Sequence, residues 1–116
     1  MNSTLKVIWQ TQAREALRQT AVYIRKHFGL HVRENFRNEV DHVQALLQSN
    51  PYMGNEESLL SDCPKKYRSF VINKLNKIVY YIEDDTIHIA AFWDTRREPT
   101  QQAQEARDKQ GPPPNP

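Results

Sequence analysis

The 116-residue chain has one cysteine, three glycines and no long uninterrupted run of apolar residues. The single cysteine, Cys63, excludes an internal disulfide, and no cysteine–histidine spacing typical of a zinc site is present. The N-terminus lacks the apolar run of a signal peptide or a membrane span. We therefore expect a soluble, cytoplasmic protein, and no motif calls for a metal or another cofactor.

The chain also has little net charge. Sixteen basic residues against 14 acidic ones leave a formal charge of +2, so the whole molecule is not a strongly basic nucleic-acid binder. Any recognition of anions must then come from local clusters. The length suits one domain with a modest core, which we place at residues 1–99. Residues 100–116 are polar and end in prolines, and we expect them to form a flexible tail.

Apolar spacing predicts one strand followed by two helices. Residues 5–9 are rich in strand-forming side chains, and Thr11 is a candidate N-cap for the first helix. The apolar positions of that helix recur at steps of three and four: Ala13, Leu17, Ala21, Ile24 and Phe28. Gly29 predicts its end, and a second helix from about His31 ends before Pro51. Helices separated by about two residues form an antiparallel hairpin.

Three strands are predicted after an irregular loop at residues 51–64. They cover about 66–73, 77–83 and 86–93, and the acidic pair before Thr86 is a tight hairpin signal. Their apolar residues stand at adjacent positions, which is typical of a sheet covered on both faces. The sequence therefore predicts an α+β fold of order β-α-α-β-β-β, with the helical hairpin on one face of a twisted, mainly antiparallel sheet.

Residues 65–82 carry five positive charges and no negative one. These cations are Lys65, Lys66, Arg68, Lys74 and Lys77, and Arg96 and Arg97 follow the last strand. Antiparallel pairing would bring some of them onto one patch that binds a phosphate backbone or an acidic protein. The alternative is that lysines solvate the strand ends and protect edges from aggregation. We favour this alternative for Lys65, Lys66 and Lys74, whereas Arg68 and Arg96 are stronger functional candidates.

The remaining candidates for catalysis or binding are histidines, tyrosines and one aspartate. The four histidines (His27, His31, His42 and His88) are expected to be structural or solvated, since no spacing promises a catalytic pair. Tyr67 and Tyr81 are candidates for stacking on a base or a partner. Asp94 is expected to form a local ion pair with Arg96.

Four segments together resemble a known family. They are "VIWQTQAREALRQTAVYI", "NPYMG", "YRSFVINKLNKIVYYI" and "IHIAAFWDTRREP", in this order over residues 5–99. The combination resembles toxins of the RelE/ParE superfamily, from bacterial type II toxin–antitoxin modules, and is closer to the ParE branch. The resemblance implies a growth-inhibiting toxin that a cognate antitoxin neutralises in a hetero-oligomer.

The resemblance implies two alternative activities. ParE-like members poison DNA gyrase, whereas RelE-like members cleave mRNA on the ribosome as metal-independent endoribonucleases. If this chain cleaves mRNA, the matching catalytic residues are Arg68, Lys77 and Arg96. Two positions depart from the cleaving pattern, because Phe70 stands where a proton acceptor is expected and Gln102 where a stacking tyrosine is expected. We favour gyrase as the target, and an inactive interaction module is a third alternative.

The resemblance also yields a geometric expectation. Arg68, Lys77 and Arg96 should converge on an outward surface of the sheet that the two helices leave open. On this view the cations serve a macromolecular anion or its mimic, not the stability of the protein itself. The antitoxin segment would lie along the helical hairpin or in the groove of the sheet and hide the apolar and basic surface there.

Overall fold

The computed structural model describes residues 4–95, which form two helices packed on a five-stranded sheet. In chain order the elements are β1 (Lys6–Trp9), α1 (Thr11–Phe28), α2 (Leu30–Ser49), β2 (Asn55–Glu56), β3 (Arg68–Val71), β4 (Asn76–Glu83) and β5 (Thr86–Asp94). The expected α+β fold is confirmed. The two-residue β2 was not predicted, because it lies in the segment interpreted as an irregular loop. The predicted tail at residues 100–116 lies outside the described residues.

The strand order of the sheet is β1-β5-β4-β3-β2. Strands β2 to β5 pair antiparallel, and β1 lies parallel to β5 with Val7 opposite Ile87. At the β4–β5 turn, Asp84 and Asp85 both have φ of 55°. Positive φ at both central residues is the geometry of a tight two-residue hairpin, so this predicted turn is confirmed.

The two helices are joined by the single residue Gly29. Its φ of 96° and ψ of 172° fall in a region that only glycine adopts at low cost. The amide of Gly29 donates a hydrogen bond of 3.0 Å to the carbonyl of Arg25 and so ends α1. One residue is enough to reverse the chain, and the predicted helical hairpin is confirmed.

The start of α1 differs from the prediction. Thr11 is the first helical residue, and the N-cap position is occupied by Gln10, whose side chain makes no cap hydrogen bond. The side chain of Gln10 instead donates to the hydroxyl of Tyr81 at 3.0 Å, and Gln12 donates to the carbonyl of Ala90 at 3.0 Å. Contacts with the sheet therefore replace local capping at this end of the helix.

Both faces of the sheet bury apolar side chains. Since residues alternate along a strand, β4 directs Ile78 and Tyr80 toward the helices, where they join Phe36, Val40, Val43, Leu47, Ile87, Ile89 and Phe92. The opposite face, here called the second face, holds Val79, Tyr81, Ala90, Ala91 and Trp93. Residues 57–67 pack on it through Leu60 and Tyr67, and we call this segment the covering loop. In residues 4–95, no helix combines the length and the hydrophobicity needed to cross a membrane.

Candidate functional site

Arg68 and Lys77 lie on opposite faces of the sheet. Arg68 is opposite Tyr80, which belongs to the core beneath the helices. The ammonium of Lys77 lies 5.1 Å from the ring centroid of Trp93, on the second face. The physical reason is the strand register: Val71, opposite Lys77, is an odd number of residues from Arg68, and an odd separation reverses the face. The expected convergence of these two cations is therefore wrong, and Arg96 lies outside the described residues.

The charge of Lys77 is neutralised within the protein. Its Nζ lies 2.5 Å from Oε1 of Glu57, whose side chain is only 4% exposed. Burial alone raises the pKa of the Glu57 carboxyl, but hydrogen bonds from Lys77 and the Leu59 amide, together with the positive charge of Lys77, outweigh it, so the net pKa is lowered. The ion pair fastens the start of the covering loop to β4.

Lys65 forms a similar but exposed ion pair near the other end of the covering loop. Its Nζ lies 2.7 Å from Oε2 of Glu83 and 4.8 Å from the ring centroid of Tyr81. The hydrogen bond between them raises the pKa of Lys65 and lowers that of Glu83. Lys65 and Lys77 thus bind acidic residues of the chain itself. For Lys77 the expected role toward an external anion is wrong, whereas for Lys65 such a role was not the favoured prediction.

The two tyrosines proposed for stacking are not available for it. Tyr67 and Tyr81 are 4% and 8% exposed, and their rings meet edge to face at 5.5 Å. His88 covers Tyr81 in a stacked arrangement with centroids 4.8 Å apart. These aromatics belong to the core of the second face, as does Trp93.

Arg68 has a different environment on the helix side of the sheet. Its Nη1 donates to the carbonyl oxygens of Gly54 at 2.7 Å and Tyr52 at 3.4 Å. The guanidinium carbon lies 5.0 Å from the ring centroid of Tyr52, a side chain that is 66% exposed. Tyr52 was not among the predicted site residues, although an aromatic residue in a loop that contains proline and glycine was a usable signal.

The loop that carries Tyr52 is fixed from beneath by Tyr80. The hydroxyl of Tyr80 donates to the carbonyl of Pro51 at 2.8 Å and accepts from the amide of Gly54 at 3.1 Å. Burial raises the pKa of this hydroxyl, so it stays protonated and able to donate. A Cβ at Gly54 would lie 2.6 Å from the Tyr80 hydroxyl, which explains why a glycine stands here. Tyr52 is therefore an exposed aromatic on a rigid support.

A groove of about 530 Å³ opens between α1 and the β3–β4 turn. Its lining combines apolar side chains with amides, one threonine and one aspartate: Ala16, Gln19, Thr20, Tyr23, Ile24, Phe28, Asn73, Leu75, Asn76, Phe92 and Asp94. Phe28 is 61% exposed and Tyr23 is 51% exposed. Aromatic side chains at this exposure beside a concave surface are typical of a protein-binding site.

The groove continues onto the connection of the two helices, here called the hairpin tip (residues 22–33). Its exposed apolar side chains are Val22, Tyr23, Phe28, Leu30 and Val32. It contains three Lys or Arg residues, two histidines and no acidic residue. The tip therefore combines apolar surface with positive charge, and complements an amphipathic segment with acidic residues. In residues 4–95, no group of histidine, cysteine or acidic side chains is arranged to hold a metal ion.

A helical hairpin on a mixed sheet, with an open and largely apolar groove that continues onto a basic hairpin tip, defines a small α+β protein whose exposed surface suits a macromolecular partner. The chain belongs to the family described as the ParE toxin of the type II toxin–antitoxin system parDE, whose model matches residues 7–99. It is a toxin of that kind, and an antitoxin is its partner.

Comparison with solved structures agrees with this assignment at the level of the fold. The chain is similar to a structure titled "Chromosomal ParDE TA system from P. aeruginosa", with a TM-score of 0.64 and 13% sequence identity. The match covers 78% of this chain and 96% of that chain. At this identity the similarity shows a shared fold alone. No curated protein sequence matches the chain.

Proposed function

We propose that this toxin acts by binding DNA gyrase and does not cleave mRNA. The observation that carries the proposal is the separation of Arg68 and Lys77 onto opposite faces of the sheet. Cleavage by attack of a ribose 2′-hydroxyl needs cations at one phosphate and a base beside them. Two cations on opposite faces of one sheet do not contact the same phosphate.

Two further features support the same proposal. The ammonium of Lys77 is paired with the buried carboxylate of Glu57, so it has no free charge for a phosphate. Phe70, at the position where a cleaving relative carries a proton acceptor, packs against the core beneath the helices. The described surface is better suited to binding a protein than to catalysis.

A supercoiling assay tests the target. Purified toxin added to gyrase and relaxed plasmid is expected to inhibit supercoiling or to trap cleaved DNA, and the same toxin bound to its antitoxin should have no effect. Gyrase that works normally at a large excess of free toxin would refute this proposal.

A ribosome-programmed translation mixture tests the competing activity. The mRNA is expected to remain intact in the presence of the toxin. Cuts in the ribosomal A site that disappear with Arg68→Ala would instead establish the ribonuclease. Normal growth of cells that express the toxin without antitoxin, together with both negative assays, would identify an inactive interaction module.

We also infer that the antitoxin covers the groove and the hairpin tip, because this surface combines exposed apolar side chains with the positive charge of the tip. Phe28→Ser should weaken the toxin–antitoxin complex by about tenfold or more while leaving the melting temperature of the free toxin nearly unchanged, since the side chain is 61% exposed. Isothermal titration calorimetry measures the affinity.

The matched control for Phe28→Ser is Val71→Ser. Val71 is 48% exposed and lies on the second face, as its register partner Lys77 does. The change at Val71 should leave antitoxin affinity within about twofold of that of the unmodified toxin. Equal losses for the two variants would show that the antitoxin does not prefer the groove and the tip.

A further inference from the structure

The hydrogen bonds of Arg68 use only one end of its guanidinium group. Nη1 donates to the carbonyls of Gly54 and Tyr52, whereas Nε and Nη2 have no hydrogen-bond partner among residues 4–95. These two nitrogens form the lateral edge of the guanidinium plane. Their parallel N–H groups match the two oxygens of a carboxylate, which they bind in a bidentate manner.

The free edge is held in a defined orientation. The two carbonyls fix one end of the guanidinium group, and the ring of Tyr52, 5.0 Å from the guanidinium carbon, lies against it. The backbone that supplies these groups is itself fixed by the hydroxyl of Tyr80. Little conformational entropy remains to be lost when a ligand binds, which favours affinity.

The position of Arg68 connects it with the groove. Arg68 and Phe70 stand at alternate positions of β3, and Ile72 follows directly after its end; Phe70 and Ile72 pack against the core beneath the helices. At about 3.3 Å per residue, Arg68 lies roughly 13 Å along the strand from Ile72, beside Asn73 at the mouth of the groove. A segment that leaves the groove along β3 therefore reaches Arg68 within about four extended residues.

We propose that the lateral edge of Arg68, with Tyr52 beside it, is a carboxylate-binding site that receives one aspartate or glutamate side chain of the antitoxin. This rests on the antitoxin-binding part of the proposed function and does not depend on gyrase being the target. The ring of Tyr52 lies against one face of the guanidinium group and adds a cation–π interaction that helps to hold the site in place.

The local charges favour a carboxylate over a nucleic-acid backbone. Glu56 is the register partner of Arg68 on β2 and is exposed, so it repels a strand of repeated phosphates more than a single carboxylate. Binding to a phosphate backbone also depends on several neutralising cations, and Lys77 lies on the other face. A single arginine held in a fixed orientation therefore favours one acidic side chain over a nucleic-acid backbone as its ligand.

A double-mutant cycle tests the proposal. Each aspartate and glutamate of the antitoxin is replaced in turn by asparagine or glutamine, and affinity for the unmodified toxin and for Arg68→Lys is measured by calorimetry. Lysine keeps the charge but lacks the parallel donor pair. Arg68→Lys should weaken the complex by about tenfold or more, and at one antitoxin position the two losses should be strongly non-additive.

Three controls separate recognition from structure. Lys66→Gln removes one exposed cation two residues away and should change affinity by less than about threefold. Glu56→Gln removes the competing carboxylate and should strengthen binding. The melting temperature of free Arg68→Lys should stay close to that of the unmodified toxin, because lysine can still donate to the carbonyl of Gly54.

Several results would overturn the proposal. They are additive effects at every antitoxin position, equal losses for Arg68→Lys and Lys66→Gln, or a fall in affinity that only tracks a lower melting temperature. An Arg68→Lys toxin that binds the antitoxin normally but loses affinity for a short single-stranded RNA would assign the site to nucleic acid instead. If the antitoxin does not bind the unmodified toxin at all, the antitoxin part of the proposed function itself fails.

Discussion

The two faces of the sheet use basic residues in opposite ways. On the second face, Lys77 approaches a buried carboxylate of the covering loop and is neutralised by it. On the helix face, Arg68 is held by neutral carbonyls and an aromatic ring, and keeps a free edge. The hairpin tip has no acidic residue. Whether a cation stabilises the fold or remains available to a partner is decided by the groups that the tertiary structure brings into direct contact with it.

The strongest test of this contrast is Lys77→Met, which leaves the buried carboxylate of Glu57 without its cation. We expect the free energy of unfolding to fall by about 3 kcal/mol at pH 7, measured by urea denaturation. The double variant Lys77→Met/Glu57→Leu should recover most of this loss, because neither charge then remains. A loss of less than about 0.5 kcal/mol for the single variant would mean that the pair is effectively solvated.

The next largest loss of stability is expected for a change on the helix face, in the loop that supports Arg68. In Gly54→Ala the added methyl group would lie 2.6 Å from the Tyr80 hydroxyl and 2.7 Å from the carbonyl of Ser69. Displacement of this backbone should lower the free energy of unfolding by about 1–3 kcal/mol and also weaken antitoxin binding. Asn55→Ala, at the adjacent exposed residue, is the control and should affect neither measurement.

The stability that the Glu57–Lys77 ion pair contributes should depend on pH. Because the pKa of Glu57 is lowered in the folded state, its ionisation stabilises the protein above the unfolded pKa of about 4.5. That contribution is lost as pH falls through the folded pKa. The stability difference between the unmodified toxin and Glu57→Gln should therefore shrink progressively below about pH 4.5. A difference that stays constant from pH 7 to pH 3 would contradict the assigned role of the ion pair.

The smallest change in stability is expected for Lys65→Ala. Its pairing with Glu83 is exposed on both sides, with side chains 39% and 50% accessible, and solvent screens such a pair almost completely. The melting temperature should not change measurably, in contrast with Lys77→Met. A comparable fall for both lysine variants would show that the covering loop depends equally on its two ends.

Most elements could be predicted because their signals are local. Apolar residues at steps of three and four define both helices, and Gly29 marks the reversal between them. Strand β2 could not be predicted, since two exposed residues, Asn55 and Glu56, carry no periodicity of their own and pair only because β3 presents an edge.

The candidate site was less predictable. The arginine at position 68 was recognised as a functional candidate, but its companions were not, because Tyr52 and Gly54 reach it through contacts across 16 and 14 residues of the chain. The pairing of Lys77 with Glu57 likewise spans 20 residues. Contacts of this range depend on how the loops cross the sheet, which no local pattern encodes.

The sequence by itself determined the class of fold, the helical hairpin, the β4–β5 turn and the family, because periodicity, glycine and motif order act over short distances along the chain. Only the tertiary structure decided which cations are free. The reason is the alternation of side chains along paired strands: the register between β3 and β4 places Arg68 and Lys77 on opposite faces, and the covering loop then neutralises one of them.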